Sequence, residues 1–311
     1  MKEINVVFMC GALRSGSSLM HLMLNHHPKV KNPGEFDFLF DLVSDEGAFP
    51  EINLYHDWLS THRIFHSKSL VIDKSLAYED LIFSFVQQLT EGDSVLVLNI
   101  HRGFHRIPFL FSNAKYIHLI RDPRDVARSS IGMGWAGNVY YGVDHWVNSE
   151  QDWKHLEAKV SANQFFQVHF EELIMSPKPI LSEVCGFLGL GYSEQMMGYT
   201  DNSTYSKPDA SLVNQWKVKL LVKELQYVEF KASSLMLDLG YELSGKPFVS
   251  IGTVEGVWLK VTNKIFRVRY AVKKYGVGLY FKERFSRFFG LVAVNKQARI
   301  AINGINKRNL K

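Results

Sequence analysis

The sequence predicts an α/β protein with a central parallel sheet flanked by helices, continued by a basic C-terminal extension. Two strand–turn–helix units with anion-binding residues at the turn predict the sheet, and a sharp change of charge predicts the extension. The first unit opens with a strand from about Ile4 through Cys10. A Gly/Ser turn, Gly11-Ala12-Leu13-Arg14-Ser15-Gly16, then leads into a helix from about Ser17 to His26. Free backbone N–H groups and the positive end of the helix meet at such a junction, where an anion is welcome. Gly11 and Gly16 keep side chains away from an approaching phosphate, Ser15, Ser17 and Ser18 add hydroxyl donors, and Arg14 adds a permanent charge. The loop is of P-loop type without being a Walker A sequence, because Ser17 stands where that motif requires lysine. An ordinary strand-to-helix turn has the same composition, so the segment needs support from elsewhere.

The second unit supplies it. Lys115 to Ile120 is an apolar, strand-forming run closed by Arg121-Asp122-Pro123-Arg124-Asp125. Pro123 and Asp125 suit the first turn of a helix that continues to Ser130. Arg121 therefore sits at a strand's C-terminal end, and Ser129 lies about two turns into the next helix, so both can reach one cluster of ligand oxygens. Asp122, Arg124, Asp125 and Arg128 also fit a solvated charge network.

At these residues the chain resembles the PAPS-dependent sulfotransferases. Arg14-Ser15-Gly16-Ser17-Ser18 looks like their 5′-phosphosulfate loop. The run Ile117 to Ser129, with an arginine followed eight positions later by a serine, looks like their 3′-phosphate signature. Val168-His169-Phe170-Glu171-Glu172-Leu173, Pro177 and Val184 to Leu190 extend the similarity, which covers roughly Ile4 to Gly240. Its flavour is that of bacterial members related to tyrosylprotein and carbohydrate sulfotransferases. The resemblance implies 3′-phosphoadenosine 5′-phosphosulfate (PAPS) as sulfuryl donor and 3′,5′-adenosine bisphosphate as product; no metal is expected, because the sequence offers no plausible metal-ligand cluster and arginine and backbone amides can neutralise the leaving group. It implies that Arg14, Ser15, Gly16, Ser17, Ser18, Arg121 and Ser129 hold the nucleotide. The acceptor would be the hydroxyl of a carbohydrate, a lipid-linked molecule or a small alcohol or phenol.

An attacking hydroxyl must lose its proton, and a positioned carboxylate suits that task. Glu35 follows the His27-Pro28 helix stop on a loop returning over the phosphate site. By ungapped counting from Arg14 it also falls where the tyrosylprotein sulfotransferases keep their catalytic glutamate. Asp37 is the alternative base, and a solvated loop carboxylate is the bland reading of Glu35. Charge building on the bridging and sulfuryl oxygens needs cations. Arg14 is one. The second is Lys74, at what looks like the family's strand-end Asp-Lys-Ser pattern in Asp73-Lys74-Ser75, or else His101-Arg102 after the Leu96 to Ile100 strand. Trp135, Trp146 and Trp153 follow the 3′-phosphate helix and could line the acceptor pocket, although the helical spacing of Trp146 and Trp153 favours core packing. Ser203 to Pro208 resembles the late loop that closes over the donor in relatives, and also fits an ordinary turn.

Apolar residues make up 46% of the 311 and charged residues 22%, a globular balance. Cys10 and Cys185 both sit in apolar runs and are expected as buried free thiols. A strand from about Ile4 leaves no room for a secretory signal or anchor, and no uncharged run approaches the ~20 residues of a spanning helix. The Golgi members of the family carry an anchor, so the expectation is a bacterial, cytoplasmic enzyme. Residues 246–311 hold 15 Lys and Arg against 2 Asp and Glu, whereas the rest hold 21 against 29. We therefore divide the chain into a sulfotransferase domain, 1–243, and a basic aromatic-rich extension, 244–311. From Val257 to Val292 the extension interleaves aromatic and basic residues. This pattern suits peripheral binding to an anionic membrane, at the inner membrane of a bacterium, or docking on the acidic domain. Nothing else resembles a nucleic-acid module. Two other classes stay open. A P-loop kinase or NTPase would use Asp73 as its Walker B residue, though it lacks the loop lysine, and the chain could also be a catalytically silent nucleotide-binding protein.

Overall fold

A computed structural model of the protein describes residues 6–308; Ile4 and Asn5, where the first strand was expected to begin, lie outside the described residues. Five strands form one sheet: β1 (Val6–Cys10), β2 (Val30–Lys31), β3 (Val95–Ile100), β4 (Lys115–Ile120) and β5 (Phe165–His169). Their order is β2-β3-β1-β4-β5, and every pairing is parallel, with Val7 opposite Val97 and Met9 opposite Ile117. Parallel strands need crossovers, which here are helical, and helices on both faces bury the sheet on both sides. All five residues of β1 are accordingly buried. Phe8 and Cys10 face a cluster rich in aromatics that includes Phe38, Tyr55, Phe85 and Trp153. Val7 and Met9 face the opposite cluster, with Met20, Leu24 and Cys185. Both cysteines are buried free thiols on opposite faces of the sheet.

The helices fall in chain order. The first six are α1 (Ser17–Asn25), α2 (Ile52–Leu59), α3 (Tyr78–Leu89), α4 (Pro123–Gly132), α5 (Val139–Gly142) and α6 (Asp144–Glu157). After β5 come α7 (Phe170–Met175), α8 (Pro177–Phe187), α9 (Trp216–Lys219) and α10 (Val222–Asp238). The helical stretch that ends at Asp238 is divided. Its start is a 3-10 turn at Ala210–Leu212 and the short α9, and extended Leu220 and Leu221 interrupt it before α10.

The extension is helical: α11 (Thr253–Tyr275), α12 (Val277–Phe288) and α13 (Val292–Arg308). Its docking is built from polar and apolar contacts. Leu259 sits in a third core with Ala12, Val126, Trp146 and Val228, and Asn263 accepts the Gly137 N–H at 2.7 Å. The Asn138 amide donates to the Leu259 carbonyl at 2.9 Å. The contribution of charge is small: among the described residues, Lys296 to Asp57 at 3.3 Å is the one ion pair from a basic residue of the extension to the domain.

One glycine sets the spacing of the central strands. A Cβ on Gly11, just past β1, would lie 2.3 Å from the Leu119 carbonyl oxygen of β4. The expectation that Gly11 makes room for phosphate is corrected here, since its space is filled by the neighbouring strand's backbone. Gly11→Ala is predicted to destabilise by about 1–3 kcal/mol, the usual cost of overpacking. Gly186→Ala, in α8 with open space around it, should stabilise by about 0.5–1 kcal/mol. Chemical denaturation midpoints check both, and an unchanged midpoint for Gly11→Ala would contradict the close approach.

Candidate active site

The C-terminal ends of β1, β2, β3 and β4 share one rim of the sheet, where the crossover from β1 runs to β2 on one side and the crossover from β3 runs to β4 on the other. Ligands of open α/β sheets bind at such a switch point. A cavity of about 1000 Å³ opens there. Arg14, Gly16, Ser17, Ser18, Glu35, Asp37, Arg121 and Trp135 all line it, so most of the residues singled out from the sequence converge.

The turn after β1 is shaped by backbone conformation. Arg14 has φ +75° and Gly16 φ +96°, and a Cβ on Gly16 would lie 2.2 Å from the Phe170 ring, so glycine is required there on both counts. Among the described residues, no acceptor engages the N–H groups of Gly16, Ser17 and Ser18 at the start of α1. Ser15 Oγ is buried without a partner as well. Unpaired donors at a helix start are the raw material of an anion site.

Arg14, Arg121 and Ser129 come together. Arg14 Nε donates to Ser129 Oγ at 2.8 Å, which leaves the serine's own O–H free to donate. Arg121 donates to the carbonyls of Arg14 at 3.2 Å and Leu212 at 3.0 Å, and its guanidinium lies 4.3 Å from the Phe170 ring centroid. Its Nε is buried and unpartnered. Burial pushes the Arg121 pKa down, with Asp125 and Glu171 opposing the shift. A guanidinium held by carbonyls, with no carboxylate of the described residues within ion-pair distance, offers its charge to a ligand.

The remaining charges of this motif are structural, which corrects the solvated-network alternative for three of its four members. Arg124 is buried between Asp122 and Glu229, at 2.7 and 3.1 Å, and its guanidinium stacks 3.6 Å from the Trp216 ring. Asp122 caps α4 by accepting the Arg124 N–H, and Asp125 accepts the Trp216 N–H at 2.7 Å. Only Arg128 is exposed.

Glu35 is held by its backbone. The Phe36 N–H donates to the Asn99 carbonyl at 2.8 Å and the Asn99 N–H to the Gly34 carbonyl at 2.9 Å, an extra step of β2–β3 pairing. Its carboxylate stays half-exposed in the cavity, with Oε1 4.0 Å from His101 Nε2. The other His101 nitrogen, Nδ1, contacts the Gly11 carbonyl at 2.9 Å and so carries the hydrogen, which leaves Nε2 toward Glu35 without a closer partner. Asp37, the alternative base, is occupied: it is buried and accepts the His101 N–H at 2.6 Å.

Lys74 is not part of this assembly. Residues 71–77 form turns and coil rather than a strand end, Lys74 is exposed, and it does not line the cavity. Asp73 is exposed too, its carboxylate engaged by Ser75, so it lacks the strand-end position of a Walker B residue. The lysine beside Glu35 is instead Lys68, whose ammonium donates to the Pro33 carbonyl and lies 4.9 Å from the Phe36 ring centroid. Arg102, the competing candidate for the second cation, lines the cavity and is paired through two 2.7 Å bonds to Asp41. Trp135 lines the cavity, whereas Trp146 and Trp153 are core residues. Thr204 to Pro208 form part of the wall.

The far wall was not legible in the sequence. Thr61, His62, Arg63 and Ile64, after α2, meet Arg299 and Asn303 of α13, and Asn303 donates to the Thr61 carbonyl at 2.9 Å. Six cationic side chains line the cavity against three carboxylates, namely Arg14, Arg63, Arg102, Arg121, Lys207 and Arg299 against Glu35, Asp37 and Asp209.

Such a rim, on a parallel α/β sheet, has the charge and the open backbone donors suited to an anion. The chain belongs to the sulfotransferase family, whose family model matches residues 6–194. A Caenorhabditis briggsae protein provisionally named a protein-tyrosine sulfotransferase is 24% identical over 204 residues, 62% of this chain and 68% of that protein. The 3-beta-hydroxysteroid sulfotransferase of Cavia porcellus is 33% identical over 110 residues, 29% of this chain and 37% of that protein. In fold, the sulfotransferase domain of the Synechococcus PCC 7002 olefin synthase superposes with a TM-score of 0.58 at 21% identity, covering 78% of this chain and 98% of the domain.

His62 generates a pH prediction. Burial, followed by the charges of Arg102, Arg299 and Arg63, lowers its pKa from 6.5 to about 4, against an opposing effect of Asp37. The unfolded chain therefore binds a proton in that window which the folded chain does not, so stability is full above 6.5 and falls as pH drops toward 4. In His62→Gln the slope of Tm against pH between these values should be shallower than in the wild type, as read by calorimetry. An identical slope would show that His62 titrates normally.

Proposed function

We propose that this protein transfers the sulfuryl group of PAPS to the hydroxyl of an anionic acceptor. The convergence of Arg14, Arg121 and Ser129 at one rim, with Glu35 facing the same cavity, carries this reading. The unpaired donors fit a molecule with two separate anionic ends: the N–H groups of Gly16, Ser17 and Ser18 with Ser15 suit a 5′-phosphosulfate, and Arg121 with Ser129 suits a 3′-phosphate. PAPS supplies an activated sulfuryl group with adenosine bisphosphate as its leaving group.

In this mechanism Glu35 takes the acceptor's proton as the acceptor oxygen bonds to sulfur and the bond from sulfur to the 5′-phosphate oxygen breaks. Arg14 and the start of α1 neutralise charge building on the departing phosphate. Lys68 and His101 lie beside Glu35, whose place at the rim is set by the main-chain bonds of its neighbours to Asn99. The far wall supports the anionic acceptor. Arg63 and Arg299 have no carboxylate within 4 Å among the described residues, and a phosphate, sulfate or carboxylate on the acceptor would satisfy them.

An acceptor screen read by mass spectrometry, with hydroxyl compounds in anionic and neutral pairs, tests the reading. The anionic member of each pair should be sulfated faster. Glu35→Gln should lower turnover by roughly 10²–10⁴-fold while leaving affinity for adenosine bisphosphate unchanged. Retained turnover in Glu35→Gln, with a loss in Asp37→Asn, would move the base to Asp37.

A further inference from the structure

The outer faces of α11 and α12 are unlike the rest of the surface. In α11 the docked residues Leu259, Asn263, Phe266 and Tyr270 recur at helical spacing and face the domain. About half a turn round the helix, Val254, Val257, Trp258, Val261 and Ile265 form a second apolar stripe that is exposed to solvent, Trp258 by 59%. Lys260 and Lys264 border this stripe on one side and Arg269 on the other, all exposed. In α12 the arrangement repeats: Phe281, Phe285, Phe288 and Phe289 are exposed, Phe288 by 82%, with Lys282 and Arg284 at their edges.

A soluble surface does not carry contiguous aromatics of this kind without a partner, and we infer that this partner is an anionic lipid surface, with α11 and α12 lying in its interface. Two observations select it. Docking on the acidic domain does not consume the extension's basic residues, because Lys296 alone among them pairs with a domain carboxylate in the described structure. The segment's charge of 15 Lys and Arg against 2 Asp and Glu also opposes pairing of this face with a second copy of itself, and it complements negative headgroups. Apolar face inward, basic residues at its borders and no crossing segment is the design of an interfacial helix. None of the described helices is long and apolar enough to cross a membrane.

The inference places the cavity at the same boundary. Asn295 of α13 donates to the Glu283 carbonyl and Ser286 Oγ of α12, at 3.1 and 3.2 Å, and a few residues later α13 presents Arg299 and Asn303 to the cavity wall. The acceptor side of the site is thus one helix away from the proposed lipid face.

Co-sedimentation of the full chain with phosphatidylglycerol–phosphatidylcholine vesicles, against pure phosphatidylcholine, tests this. Binding should require phosphatidylglycerol and weaken as salt is added. Trp258→Ser/Phe285→Ser/Phe288→Ser should abolish it. Neutralising Lys260, Lys264, Lys282 and Arg284 to Gln should lower partitioning by up to about a thousandfold, from roughly one kcal/mol per basic residue near the surface. All replaced residues are exposed, so both variants should keep the wild-type Tm and the wild-type affinity for adenosine bisphosphate, which separates this question from the sulfotransferase assignment. Absence of binding, or equal binding to neutral vesicles, would overturn the inference. A concentration-dependent dimer in sedimentation velocity, lost in the serine variant and unaccompanied by vesicle binding, would reassign the face to self-association.

Discussion

Parallel pairing of β1 with β3 on one side and β4 on the other is the constraint on which the site depends. It brings the C-terminal ends of these strands to one rim, so the turn after β1, the His101 segment after β3 and Arg121 after β4 become neighbours, although 90 residues separate Gly11 from His101 and 107 separate Arg14 from Arg121. Gly11 permits the approach, since its missing side chain leaves room for the Leu119 carbonyl. The short β2 carries the same logic to Glu35, whose position is set by main-chain bonds to Asn99 rather than by its own side chain. A carboxylate left free in this way remains available for proton transfer.

The Arg121-Asp122-Pro123-Arg124-Asp125 run divides its labour between architecture and binding. Arg124 is buried with two carboxylates and stacked on Trp216, and removal of one partner from such a pair costs about 3–5 kcal/mol because the other charge stays buried. Through these bonds α4 holds α10 and the segment that ends the cavity wall. Trp146 adds a bond from its indole N–H to the Arg121 carbonyl at 2.9 Å. Arg121 itself, with carbonyl partners and a free Nε, is the member of the run left for a ligand.

Local signals made the rim legible in the sequence. β1 and β4 are apolar runs closed by Gly/Ser and Arg-Asp-Pro turns, and both structures follow from those residues alone. Glu35 was reachable by its distance from the helix stop. Lys74 was misplaced because Val71-Ile72 before it has strand-forming residues, whereas Asp73 and Ser75 close a local turn that competes with the sheet. Lys68 and the far wall carried no signal. Arg299 and Asn303 reach the cavity from more than 230 residues beyond Thr61, through the packing of three helices, and no pattern in one sequence reports such a contact. Burial likewise decided between the roles of Asp122, Arg124 and Asp125, which composition leaves open.

The far wall and the extension share one electrostatic theme, since Arg63, Arg102 and Arg299 face the cavity while lysines and arginines border the outer stripes of α11 and α12. The far wall's reading as an acceptor site depends on the rim being a nucleotide bisphosphate site. Titration calorimetry with 3′,5′-adenosine bisphosphate, AMP and magnesium ATP, on the wild type and Arg121→Gln, tests that claim most directly. A charge-assisted contact to the 3′-phosphate is worth about 1.5–3 kcal/mol, so the bisphosphate should bind roughly ten- to a hundredfold more tightly than AMP, and Arg121→Gln should erase most of that advantage. Preference for magnesium ATP, or an equal loss of AMP and bisphosphate affinity in Arg121→Gln, would contradict it.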